Sequence, residues 1–149
     1  MGCRLLRLTA VAIVVPLAGI QAVRPQRTNP ATPASTALEA QTGVPADIRA
    51  ILTRACSDCH SNLTRWPWYS NVAPVSWFVI GHVNHGRRHV NFSEWANYDS
   101  TRRTGIVTGI CDHASRGTMP LRSYLLIHHD ATLSPEDVRA LCEWTKQLR

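Results

Sequence analysis

The chain has 149 residues, of which 44% are hydrophobic and 17% are charged, so it has the size and composition of one ordinary globular domain. The formal net charge is +6, but the basic residues form no stripe interleaved with aromatic side chains. This pattern argues against a nucleic-acid-binding protein.

Residues 1–23 are predicted to form a leader, either a signal peptide or a membrane anchor. Arg4 and Arg7 provide positive charge, and the uncharged run Leu8–Ile20 that follows is 13 residues long. That length is typical of the apolar part of a signal peptide and is short for a membrane span. The candidate cleavage site at Ile20-Gln21-Ala22 is weak. In either case the leader predicts that the domain lies in the periplasm or elsewhere outside the cytoplasm. A cleaved leader would leave a secreted domain, and a retained leader would anchor it to the inner membrane.

Residues 24–44 are dominated by Pro, Thr, Ala and Ser, which predicts a flexible linker. The folded domain is expected at 45–149. Its first helix is indicated by apolar residues at helical spacing, including Ile48, Ile51 and Leu52, and it leads directly into Cys56.

The run Cys56-Ser57-Asp58-Cys59-His60 reads C-x-x-C-H, the sequence at which haem is attached in c-type cytochromes. Two thiols three positions apart can each add to one vinyl group of a haem, and the next residue can bind the iron through a ring nitrogen. We therefore predict one covalent haem c, attached to Cys56 and Cys59, with His60 as proximal ligand. A zinc site, which needs two further ligands, and a dithiol redox pair remain open.

Three aromatic residues follow in a loop that Pro67 and Pro74 keep from forming regular structure. Trp66, Trp68 and Tyr69 are costly to expose to water. We expect them to supply core area, to wall the haem, or to do both.

A second helix is predicted over Val75–His89. Three histidines share its surface at spacings of three and four: His82, His85 and His89. We expect them to be hydrogen-bonded boundary residues more than iron ligands. For Arg87 and Arg88 the pattern predicts a solvated helix face; a clamp for haem propionates or a docking patch for an acidic redox partner is the alternative.

A third helix is predicted over about 100–116. Asp99 or Ser100 would cap its start, and Gly117 would end it. Met119 follows on a loop, beside Pro120, and is the only methionine besides the initiator. A methionine that merely fills a core is least expected on such a loop. Because a thioether can bind haem iron opposite a histidine, Met119 is predicted to be the sixth ligand.

The last helix is predicted to begin at Ser134–Asp137, where a serine cap is followed by proline and two acids. Cys111 and Cys142 lie outside the C-x-x-C-H motif. An oxidising compartment would allow them to form a disulfide, but we expect buried thiols.

A wider pattern joins three runs of the sequence: CSDCHSNLTRWPWYSNVAPVSWFV, HGRRHVNFSEW and GTMPLRSYLLIHHDATLSPEDVRALCEW. Over about Pro45 to Trp144 it resembles the bacterial haem-binding domain family, with C-x-x-C-H-S-N-x-T-x-W-P-W-Y, a central N-F-S-E-W and a later G-x-M-P. The Ile20-Gln21…Arg24-Pro25 junction also resembles the point where the family's membrane anchors end. The resemblance implies cytochrome c-like haem binding and names no substrate.

These observations predict an all-α, cytochrome c-like bundle of four to five helices around one covalent haem, after an N-terminal signal or anchor helix. The expected function is single-electron transfer by a monohaem protein, an electron carrier more than an enzyme. Expected partners are a redox partner protein and the cytochrome c maturation machinery. The alternatives are a haem sensor or peroxidase-like enzyme with an open sixth position, and a zinc-binding structural or interaction module.

Overall fold

The computed structural model describes residues 2–148, and within this range the chain is all-helical and contains no strand, which confirms the predicted fold class. The α-helices are α1 (Gly2–Ile20), α2 (Leu38–Thr42), α3 (Ala46–Ala55), α4 (Ser57–His60), α5 (Val75–His89), α6 (Ser100–Ser115), α7 (Arg122–Leu125) and α8 (Pro135–Gln147). Short 3₁₀ segments lie at Ala34–Thr36, Trp68–Asn71, Phe92–Asn97 and His129–Ala131. The four long domain helices are α3, α5, α6 and α8, and the remaining domain helices are single turns.

The ends of the long helices follow local signals in the sequence. The side chain of Asp99 caps α6 by accepting from the Arg102 backbone N–H at 2.7 Å. After α6 the chain reverses at Gly117, whose φ of +61° suits glycine. At α8, the Ser134 and Asp137 side chains each accept from the other's backbone N–H in a capping box.

The hydrophobic core lies between α3, α6 and α8. At one edge Arg54 joins α3 to α8 and to the segment before it, because its guanidinium pairs with Asp137 at 2.6 Å and also donates to the Asp130 and Thr132 carbonyls. The main cluster of buried side chains comes from α3, α6, α8 and the 3₁₀ segment Phe92–Asn97, and includes Ile48, Leu52, Trp95, Val107, Leu141 and Trp144.

The second half of the predicted linker belongs to the folded domain. Leu38 is 1% exposed and Val44 is 3% exposed, and both belong to the core. The Thr36 hydroxyl donates to the Ser93 carbonyl at 2.7 Å. The flexible linker predicted over 24–44 thus contains two side chains, those of Leu38 and Val44, that are buried in the core, while most residues of 34–44 stay exposed.

Cys111 on α6 and Cys142 on α8 form a disulfide, so the expectation of buried thiols was wrong. The two helices pack side by side and bring the Cα atoms to 4.7 Å, within the range that a disulfide spans. No local sequence signal indicates that these two helices are neighbours.

The N-terminal helix α1 is exposed along its whole length and has a mean hydropathy of 1.8 over an 18-residue window. Its 19 residues give it a length of roughly 28 Å, close to the roughly 30 Å of a bilayer's hydrocarbon core. It is longer than the uncharged run in the sequence because it includes Arg4 and Arg7. Length and composition would allow it to cross a membrane, and a signal sequence has the same properties.

Candidate haem site

The C-x-x-C-H run forms a separate single turn at the end of α3. The helix stops at Ala55, Cys56 takes a non-helical φ of −127°, and α4 begins at Ser57. The Cys56 carbonyl accepts from the backbone N–H groups of Cys59 at 3.2 Å and His60 at 3.0 Å. The turn is thus closed around one carbonyl, which holds the motif's three functional side chains in a fixed relation.

Cys56, Cys59 and His60 line one cavity with a volume of about 780 Å³. Its walls come from α3, α4, α5, α6 and α8 and are mostly apolar. Volumes of 300–1,000 Å³ are typical of cofactor and ligand sites. The structure therefore brings the three motif residues to a space of cofactor size.

The imidazole of His60 is oriented by the backbone of α5. Its Nδ1 lies 3.1 Å from the Gly86 carbonyl and 3.2 Å from the Val90 carbonyl. Because both partners can only accept, Nδ1 carries the proton, and burial lowers the pKa of His60 and favours the neutral ring. The other ring nitrogen, Nε2, keeps its lone pair, as a metal-binding histidine requires.

Gly86 lets α5 approach the motif closely enough to make these bonds. A Cβ built at Gly86 would lie 2.6 Å from the Cys59 carbonyl oxygen, a backbone atom that cannot rotate away. Any side chain here would push α5 away from α4. Gly86 is thus a site residue that acts through its lack of a side chain.

Asp58, between the two cysteines, holds the outer side of the turn. It is 8% exposed and accepts from the Arg65 backbone N–H at 3.0 Å, from the Arg65 guanidinium at 3.1 Å and from the Tyr124 hydroxyl at 2.8 Å. Burial and the neighbouring Asp58 raise the pKa of Tyr124, which therefore stays a hydrogen-bond donor. The Asp58 contacts join α4 to the following loop and to α7.

The two cysteines are protonated thiols. Burial and then the neighbouring Cys59 raise the pKa of Cys56 to about 12, and burial and then Asp58 raise the pKa of Cys59 to about 11. Zinc binding and disulfide exchange both use the thiolate. Within residues 2–148, no group of three or more His, Cys, Asp and Glu side chains is placed to hold a metal ion. The described residues therefore do not provide the further ligands that a zinc site needs.

The wall formed by α6 leaves room for a flat molecule. Gly105 and Gly109 both line the cavity; a Cβ at Gly105 would meet no atom within 4 Å, and one at Gly109 would meet only the His113 ring, at 3.9 Å. Together with a neutral imidazole and two thiols, this wall fits a haem.

The model of the haem-binding domain family matches residues 15–147 of the chain. The chain belongs to this family. The match confirms the resemblance noted in the sequence and identifies haem as the cofactor that the protein binds. Comparison with curated proteins and with solved structures gives no significant match.

Met119, the predicted distal ligand, lies in the turn between α6 and α7, and we call this part of the cavity wall the distal side. It lines the same cavity as His60 and is 37% exposed. The turn is tied back to α6, because the Thr118 N–H donates to the His113 carbonyl at 3.0 Å and the Thr118 hydroxyl lies 2.8 Å from His113 Nδ1. Met119 thus lines the cavity that would hold the haem, and its role as sixth ligand stays a prediction.

Four histidines line the haem cavity as well: His82, His85, His89 and His113. His85 and His89 pack against each other with ring centroids 4.4 Å apart, and His82 Nδ1 bonds to the Phe78 carbonyl at 2.8 Å. The haem cavity therefore contains alternative nitrogen ligands to Met119.

The predicted aromatic wall lies mostly elsewhere. Trp66 and Trp68 are not among the residues that line the haem cavity; Trp66 donates to Asn29 at 3.2 Å, and Trp68 is 77% exposed. Tyr69 lines a smaller neighbouring cavity of about 150 Å³ that reaches Cys59. Proline-rich loops do not reveal which side of each residue faces inward, so the sequence could not distinguish these positions.

Two aromatic residues that do line the haem cavity were missed by sequence reasoning: Phe92 and Tyr124. Phe92 belongs to the N-F-S-E-W run, and its ring lies 6.1 Å from that of His60. The N-F-S-E-W run could therefore have pointed to Phe92 as a site residue. Tyr124 had no local signal, since its contact with Asp58 joins residues 66 positions apart.

Arg87 is half-buried, which corrects the expectation of a solvated residue. Its guanidinium donates to the Ser61 carbonyl at 2.8 Å, the Thr28 carbonyl at 2.6 Å and the Thr64 hydroxyl at 2.8 Å. Arg88 is exposed, as expected. Arg87 therefore joins the N-terminal segment to the loop after the motif.

Proposed function

We propose that the protein is a monohaem c-type cytochrome that carries single electrons outside the cytoplasm. One observation carries the proposal: Cys56, Cys59 and His60 line one cavity of cofactor size, and His60 is held through Nδ1 so that Nε2 keeps its lone pair. A bound haem would supply a one-electron iron couple. The chain would supply the attachment points, the axial ligands and a mostly apolar cavity.

Cys56 and Cys59 would form the two covalent bonds. When a thiol adds to a vinyl group, the sulfur bonds to one carbon and the hydrogen goes to the other, so no separate oxidant is needed. Both cysteines line the haem cavity, and burial raises the pKa of each, which favours the protonated thiol.

His60 and Met119 would fill the two axial positions. The Gly86 and Val90 carbonyls fix the His60 ring and increase the basicity of its free nitrogen. A thioether opposite histidine favours ferrous over ferric iron and so raises the reduction potential. With both positions filled, peroxide and gases have no open site, which favours a carrier over a sensor or a peroxidase.

The extracytoplasmic location is supported by two features. The apolar α1 is an export signal or an anchor, and the Cys111–Cys142 disulfide is typical of a protein in an oxidising compartment. Haem would be attached there by the cytochrome c maturation machinery, and electrons would be exchanged with a redox partner protein.

A redox titration with a visible spectrum tests the proposal. We expect one one-electron transition, and a reduced spectrum with the sharp α and β bands of low-spin haem. A high-spin ferric spectrum in the wild-type protein, with rapid turnover of peroxide, would contradict the carrier and favour the peroxidase-like alternative. Absence of a Soret band from protein made with the maturation machinery would favour the zinc module.

A further inference from the structure

The segment that directly follows α1 is hydrogen-bonded to the folded domain. The Gln21 side chain pairs with Ala73 in both directions, donating to its carbonyl at 3.0 Å and accepting from its N–H at 2.9 Å. Two residues later, the Val23 carbonyl accepts from the Trp77 indole at 2.7 Å. Since α1 ends at Ile20, the first residue after the helix already contacts the domain, and no flexible linker separates the two.

Further contacts continue along residues 21–29, which we call the strap. Arg27 donates to the Ser70 hydroxyl at 3.3 Å, and Asn29 donates to the Thr64 carbonyl at 2.9 Å. Arg87 donates to the Asn29 side chain at 2.9 Å. Residues 21–23 were predicted to end the leader and residues 24–29 to begin a flexible linker, but the hydrogen bonds of the strap give α1 a fixed direction relative to the domain.

The surface around Ala73 exposes several large apolar side chains. They lie within five positions of Ala73 and have exposures of 43% for Val72, 44% for Val75, 53% for Phe78 and 77% for Trp68. We call this surface the 68–78 face. Apolar side chains grouped on one surface mark an interaction site more often than scattered ones do.

We propose that α1 is retained as a membrane anchor and that the 68–78 face rests on the lipid surface beside it. The strap holds this face next to the end of α1, where an anchor would leave the bilayer. Tryptophan is favoured at the membrane–water boundary, and Trp68 is the most exposed of these side chains.

Two further observations favour the retained anchor over a cleaved signal. Cleavage after Ala22 would remove Gln21 and so break both of its bonds to Ala73. The family match begins at residue 15, within α1, so the end of this helix belongs to the family's domain. The proposal rests on the extracytoplasmic location proposed above, and it does not depend on electron transfer.

The lipid contact would also orient the haem site. Val75 and Phe78 on the 68–78 face line the smaller cavity that reaches Cys59. The Cys59 side of the haem would then face the membrane.

Photo-crosslinking of the full chain in its host membranes tests the proposal. The chain is made with the maturation machinery, with p-benzoyl-phenylalanine in place of Phe78 or of Val72. The control position is Arg139 on α8, whose side chain is 73% exposed. We expect lipid adducts by mass spectrometry at positions 72 and 78 and none at position 139, with an unchanged haem spectrum in each case.

The strap is tested with Gln21→Ala in the Phe78-labelled chain. Loss of the Ala73 pairing should lower the yield of lipid adducts several-fold. The matched control is Gln41→Ala, which removes an exposed amide that bonds only locally, to the Ser35 carbonyl. It should leave the yield unchanged; an equal yield in both variants would overturn the role of the strap.

The remaining outcomes separate the parts of the proposal. A shortened chain in the soluble fraction would overturn the retained anchor. A membrane-bound chain whose positions 72 and 78 crosslink only to protein, give no adducts, or react no more than position 139 would overturn the lipid-facing surface. A chain that crosslinks to lipid as expected but carries no low-spin haem would support this proposal and contradict the proposed electron transfer.

Discussion

The proximal and distal sides of the haem cavity are held in place by different kinds of contact. On the proximal side, His60 is bonded to two backbone carbonyls, and Gly86 lies against the backbone of Cys59. On the distal side, Met119 is a partly exposed side chain on a turn between two helices. Backbone contacts leave His60, the proposed proximal ligand, little freedom, whereas Met119, the proposed distal ligand, can be exchanged without moving a helix.

The strongest way to break the proximal side is Gly86→Ala. Because the new Cβ would lie 2.6 Å from the Cys59 carbonyl, α5 must move and His60 loses its acceptors. We expect a loss of about 3 kcal/mol in the free energy of unfolding and less haem bound per chain, measured by urea denaturation and absorbance.

Gly81→Ala on the same helix is the matched control, since a Cβ there meets no atom within 4 Å. It should leave haem content unchanged and should raise stability by up to about 1 kcal/mol through helix propensity. Equal stability and equal haem content in the two variants would show that the close approach of α5 to α4 is not needed for folding or for haem binding.

The scaffold of the distal side is tested by removing the disulfide. Cys111→Ser with Cys142→Ser opens a crosslink between residues 31 positions apart, for which the loss is expected to be about 3 kcal/mol. Urea denaturation with and without reductant measures it: reductant should destabilise the wild type but not the variant. Cys3→Ser, at the exposed free cysteine of α1, should have no effect.

The distal ligand itself is tested by Met119→Ala. We expect loss of the iron–sulfur charge-transfer band of the ferric protein and binding of carbon monoxide. Both thioether bonds should remain, and stability should change by no more than about 1 kcal/mol. Met119→His should keep the haem low-spin and lower the reduction potential, measured by redox titration.

An unchanged spectrum in Met119→Ala would contradict this assignment. The ligand would then be sought among the other cavity residues that could bind iron: His82, His85, His89 and His113.

The smallest expected effect concerns the link between α3 and α8, outside both sides of the cavity. Burial alone would raise the pKa of Asp137, but hydrogen bonds from Arg54 and from Ser134 outweigh it, and the pKa is lowered. A lowered pKa contributes stability that is present above the unfolded value of about 3.9 and is lost as pH falls through the folded value.

Arg54→Met should therefore cost about 1 kcal/mol at pH 7, and the difference from wild type should shrink as the pH falls below about 4. Urea denaturation across this pH range measures the difference. A difference that stays constant with pH would contradict the role of the Arg54–Asp137 pair.

The sequence indicated the C-x-x-C-H motif because its pattern is contained in five consecutive residues, and the structure brings Cys56, Cys59 and His60 to one cavity. The bounds of α5 and the caps of α6 and α8 were predicted for the same reason, since proline, serine and aspartate act on their neighbours. The close contact of Gly86 was not predictable, because it depends on how α5 packs against a turn 27 positions earlier.

Packing between distant segments accounts for the other misses. The linker prediction over 24–44 used composition, which gave too little weight to Leu38 and Val44. The disulfide required knowledge that α6 and α8 are neighbours. Trp68 was expected to be costly to expose, yet it faces outward on the 68–78 face.

The most direct test of the account is the mass of the intact chain made with the maturation machinery, measured after extraction with acid and acetone. We predict that one haem stays bound to each chain, and that Cys56→Ala with Cys59→Ala abolishes this attachment. Movement of all the haem into the organic phase would contradict covalent attachment and, with it, the proposed c-type cytochrome.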